Sequence, residues 1–183
     1  MKSKTVAISA ISSALIAIAL TVGVFFEVAD LFALAVSSAF VIIPLYKNSY
    51  LGCFLSYLIG GVIALIFSGF NIFYSVVFPA YFLFFGIYPI LRNMMQDKKN
   101  NRLVPIVIGL LWCVLAVIGI FYYYTLVIGL NLDTIPSFIP QFVKEYFVFL
   151  LVLFAVVFYF IFDRYVLVMR VFFDRYLTRI SKR

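Results

Sequence analysis

The side chains able to do chemistry gather in short polar stretches between long apolar ones. These are Glu27 and Asp30; Asn71 and Tyr74; Tyr122, Tyr123 and Tyr124; Asn131 and Asp133; and Lys144, Glu145 and Tyr146. Carboxylates, amides, one lysine and phenol rings are groups that hold a flat, polar small molecule by stacking and hydrogen bonding. Asn71, Tyr74, Tyr123, Asn131, Asp133 and Lys144 are therefore the candidate ligand-binding residues. The same side chains fit an aromatic belt with solvated loop charges equally well, and both readings stay open.

Reaction chemistry has little to work with. The chain has no His, which removes the commonest general base and the commonest metal ligand together. Its glycines form no Walker A run, so it does not power itself with ATP. Cys53 and Cys113 lie inside apolar runs, where a thiol acts as a small hydrophobe. No carboxylate falls in the middle of an expected helix, so the proton or sodium relay of a secondary transporter is not expected either. The expectation is a protein that is not an enzyme, with no catalytic residues, no metal and no cofactor.

The elements that must position these residues are membrane spans. Of 183 residues, 67% are hydrophobic and only 11% charged, against about 25% charged in soluble domains; mean hydropathy is +1.20. A bilayer core of about 30 Å takes roughly 20 apolar residues per helix. The apolar runs predict six crossings, at residues 1–26, 31–46, 50–67, 72–91, 103–128 and 146–162. The first runs on too far for a signal peptide and reads as an uncleaved helix. Pro79 and Pro89 predict a kink in the fourth crossing, with the freed carbonyls satisfied by neighbouring helices. Gly52, Gly60 and Gly61 predict close helix contact along the third. Pro136 and Pro140 make the segment between the last two crossings a loop or cap.

Charge orients this arrangement. The stretch from Pro79 to Pro105 passes from aromatic residues into a basic hinge carrying Arg92, Lys98, Lys99 and Arg102. If that hinge is cytoplasmic, thirteen of the fourteen Lys and Arg lie inside and only Lys144 lies outside. Both termini are then cytoplasmic and the candidate ligand residues face outward. The fold class expected is an all-α membrane protein. Residues 1–162 form the six-helix transmembrane domain, and residues 163–183 a basic amphipathic cytoplasmic tail. In that tail Phe-Asp-Arg-Tyr occurs twice, eleven residues apart, and Arg164, Arg175, Arg179 and Lys182 oppose an apolar face, as on a helix that lies on anionic headgroups or docks on a partner.

Within the first helix, Ser3, Ala7, Ala10, Ala14, Ala17 and Thr21 alternate at gaps of four and three, which puts them on one narrow, smooth face. Such a face admits close van der Waals approach by another helix, either inside the bundle or from a partner. Ala7, Ala10, Ala14 and Ala17 are the candidate partner-binding residues.

Six short helices, inward termini, the Ala10-x-x-x-Ala14 spacing and the absence of an energy source resemble the S components of energy-coupling factor (ECF) vitamin transporters. The segment Phe84-Phe85-Gly86-Ile87-Tyr88-Pro89-Ile90-Leu91-Arg92 is similar to a stretch in S-component-like membrane proteins of Gram-positive bacteria. The resemblance covers nearly the whole chain. It implies a multi-pass protein of the bacterial plasma membrane that captures a vitamin-like small molecule outside. It also implies that Ala10 and Ala14 contact a coupling transmembrane subunit, driven by separate ATPase subunits. No substrate signature of the thiamine, riboflavin, biotin or folate groups is present. The alternative is a membrane scaffold or assembly protein of the cell envelope with no transported ligand. Membrane lipids are expected partners in either case, and nucleic acid in neither.

Overall fold

The computed structural model describes residues 3–70, 75–97, 103–128 and 146–181, and every regular element among them is helical. In order, α1 is Ser3–Phe25, α2 Asp30–Val41, α3 Tyr50–Phe67, α4 Val77–Ala80, α5 Ile87–Asp97, α6 Leu103–Tyr123 and α7 Phe147–Ser181. Five helical stretches are long and apolar enough to cross a membrane: Ser3–Phe25, Asp30–Lys47, Tyr50–Phe67, Leu103–Leu126 and Phe147–Arg179. They fit a membrane-embedded protein. Between α4 and α5, Tyr81–Phe85 form a π-helical turn, so residues 77–97 make one interrupted rod.

Prolines set the interruptions. Pro44 cannot donate to the carbonyl of Phe40, α2 stops at Val41, and a 3-10 turn, Ile43–Lys47, follows. The Ser12 hydroxyl of α1 donates to the Phe40 carbonyl at 2.6 Å, beside a backbone amide of the turn that ends α2. Asn48 then takes a left-handed conformation (φ 51°), which asparagine tolerates, and Ser49 caps α3 by accepting from the Gly52 amide. In the rod, Pro89 follows the wide turn in which the Gly86 amide donates to Tyr81 at 2.8 Å. Two carbonyls of this turn are satisfied from neighbouring helices, Phe82 by the Tyr57 hydroxyl (3.0 Å) and Leu83 by the Trp112 indole (2.7 Å). The regular helix is interrupted just before Pro89, and two carbonyls of that turn find partners on neighbouring helices.

The first three helices pack closely, α1 lying against α3 and α2. A Cβ on Gly60 would stand 2.8 Å from the Ile16 Cβ and 3.0 Å from the Ser13 carbonyl, so this contact needs glycine. Ser56 of α3 donates across to the Ser9 carbonyl of α1 at 3.0 Å. In lipid, where burial gives little drive between helices, close approach plus such bonds is what associates them. At the other side of the bundle α6 packs on α7 and α5, while α2 touches α1, α3, α7 and the interrupted rod and so joins the two halves.

Two expectations are corrected. The fourth crossing does not give way to a loop at Arg92: the helix continues to Asp97, and Arg92 and Asn93 are buried in it. The last helix does not end at residue 162. With no Gly or Pro after Pro140, α7 runs 35 residues without a break, about 52 Å at 1.5 Å per residue, and Asp163 lies at its middle. A mid-helix carboxylate therefore exists where none was expected.

Candidate functional site

Of the six candidate ligand residues only Tyr123 can be placed. Asn71, Tyr74, Asn131, Asp133 and Lys144 lie outside the described residues, as do Lys98, Lys99 and Arg102 of the basic hinge. Tyr123 is the last residue of α6, before a second π-helical turn at Tyr124–Ile128. It is half-buried, its ring edge-on to Tyr124 at 5.5 Å, while Tyr122 is exposed. The Tyr124 ring is buried, and among the described residues its hydroxyl has no hydrogen-bond partner. Tyr122, Tyr123 and Tyr124 thus form an aromatic corner at the end of α6.

On α1 the candidate residues separate. Ala17 is buried at 4% exposure, but Ala7, Ala10 and Ala14 are exposed. The face turned into the bundle is the adjacent one, carrying Ser9, Ser12, Ser13, Ile16, Leu20 and Gly23. Serine wins the interior because it is nearly as small as alanine and its hydroxyl also satisfies a carbonyl, as Ser12 does at Phe40 and Ser13 does at Ser9 (2.9 Å). The alanines are left on the outside of the bundle. Beside them Ala14, Ala17 and Thr21 of α1, with Ile63 and Phe67 of α3, line a groove of about 530 Å³.

The arrangement that sequence reasoning missed is the junction of α5 and α7. The Asp163 carboxylate accepts from Arg92 Nε at 2.5 Å, from Arg92 Nη2 at 3.3 Å and from the Tyr88 hydroxyl at 2.5 Å. The Tyr88 and Tyr159 hydroxyls are hydrogen-bonded to each other at 3.2 Å. One turn on, the Asn93 amide donates to the Pro89 carbonyl at 2.6 Å and accepts from Arg170 at 3.0 Å. Phe84, Phe85, Phe158 and Phe162 close one side with ring centroids 4.9–6.5 Å apart. On the other side a Cβ at Gly109 of α6 would meet the Tyr159 hydroxyl at 2.6 Å, so only glycine lets α6 approach. Charge is balanced and the carboxylate is already held by a forked guanidinium and a phenol. Chemically this is a pin between helices, since the carboxylate's partners are all internal.

A signal for the pin was present. Apolar residues resume directly after Asp163-Arg164, as Tyr165-Val166-Leu167-Val168-Met169, with no helix breaker, so a continuing helix with an embedded acid was readable.

No family model, curated protein or solved structure matches this chain.

Proposed function

We propose that this chain is the substrate-binding membrane subunit of an ECF-type importer, taking a vitamin-like small molecule from outside a bacterial plasma membrane. In this reading the interrupted rod is the fourth of six crossings, both termini are cytoplasmic, and a separate coupling subunit with its ATPases supplies the energy. The single observation that supports it best is the outward position of Ala7, Ala10 and Ala14 on a helix whose other face is already filled by α2 and α3. Small residues gain nothing from facing lipid, whereas against a second helix they allow backbone approach that larger side chains prevent. The basic asymmetry supports the orientation, and the aromatic corner at Tyr122, Tyr123 and Tyr124 supports a capture surface on the opposite side.

The test is recovery of the complex from native membranes through a tag on this chain. Ala10→Trp and Ala14→Trp are expected to cut recovery of coupling and ATPase subunits at least tenfold, while the variants still insert and remain monodisperse in detergent. Undiminished recovery from both variants would overturn the docking role. A wild-type complex without an ATPase, and without a copurified small molecule by mass spectrometry, would favour the scaffold reading.

A further inference from the structure

A second groove lies at the N-terminal end of α1, where three elements distant in sequence meet. Lys4, Ala7, Ile8 and Ile11 of α1, Ile43, Tyr46 and Lys47 of the 3-10 turn after α2, and Leu177 of α7 enclose about 420 Å³. Isoleucines and leucine supply an apolar floor. The charges of Lys4 and Lys47 stand on the same groove, and Lys47 Nζ lies 4.3 Å from the centre of the Tyr46 ring. Among the described residues no carboxylate pairs with Lys4 or Lys47, although Asp163 and Arg92 show that this fold pairs charges where it buries them.

An occupant must therefore bring an apolar portion for the floor and negative charge for the lysines. Two lysines at the end of apolar helices, with an aromatic ring between chain and charge, meet that demand where headgroups sit. We infer that this groove binds an anionic phospholipid, with an acyl chain along Ile8, Ile11 and Ile43 and the headgroup phosphate between Lys4 and Lys47. A free phosphate would leave the floor unfilled, and a neutral lipid would leave both ammonium groups without a counter-charge. Bound lipid would bridge α1 to α7 through Leu177.

Native mass spectrometry of the full-length protein decides this, with phosphatidylglycerol and phosphatidylcholine of matched chains as the probes. Wild type is expected to retain phosphatidylglycerol about tenfold better than phosphatidylcholine. Lys4→Gln with Lys47→Gln is expected to abolish that preference, each lysine contributing severalfold. Lys98→Gln with Lys99→Gln, which removes the same charge elsewhere in the chain, is expected to leave it intact. Equal retention of both lipids by wild type overturns the inference, as does loss of the preference only in the Lys98/Lys99 variant. Displacement by soluble glycerol phosphate at matched concentration would instead assign a free phosphate site and likewise overturn it. Ile8→Trp, which fills the floor without changing charge, is expected to reduce phosphatidylglycerol retention; unchanged retention would exclude the acyl-chain part.

Discussion

The α1–α3 contact and the α5–α7 junction hold helices together by opposite means. The first brings backbones close over Gly60 and ties them with single serine hydroxyls such as Ser56 to Ser9. The second keeps helices apart by the width of phenylalanine and tyrosine rings and bridges the gap with Arg92, Asp163 and Tyr88. The first consists of many small, replaceable gains. The second concentrates its risk in one carboxylate, because removing either charge leaves the other buried without a partner.

The largest effect should come from breaking the junction. Asp163→Ala is expected to destabilise the protein by about 3–5 kcal/mol in thermal or denaturant unfolding in a mild detergent, through the stranded Arg92. Replacing both, Arg92→Met with Asp163→Leu, should recover most of that loss; a double variant as unstable as the single would mean that packing, not charge, holds the junction. Gly60→Val tests the other contact. It should cost about 1–3 kcal/mol by forcing Ile16 and the Ser13 carbonyl away, and a neutral outcome would show that α1 and α3 can separate freely. Smallest is Trp112→Phe, which strands the Leu83 carbonyl of the π turn and should cost about 1 kcal/mol, with faster hydrogen exchange along residues 81–87.

The contrast also explains what could be read from the sequence. Gly60 and Gly61, the prolines and the compensated carbonyls follow from local rules, and the structure places them as those rules require. On α1 the period was readable but the phase was not: Ala10 and Ser9 differ by about 100° around the axis, and both families of small residues repeat at helical spacing. Only the partner across the interface distinguishes them: α3 presents glycines to the serine face, and a Cβ on Gly52 would stand 2.7 Å from the Ser9 Oγ. Arg92 and Asp163 were obscured because a charge beside an apolar run reads as its end, and a sequence does not display the opposite charge that makes burial tolerable. Most of the proposed ligand surface lies outside the described residues, so Tyr123 alone connects that expectation to the fold.

The uninterrupted course of α7 has a mechanical consequence. Pinned at Asp163 and stiff for 16 residues beyond it, to Arg179, the helix is a lever whose fulcrum is the buried carboxylate. A rotation of about 10° there would carry Arg179, roughly 24 Å along the axis, through about 4 Å. A change in tilt too small to disturb the ring packing around Asp163 would thus be read, magnified, at the far end of the helix.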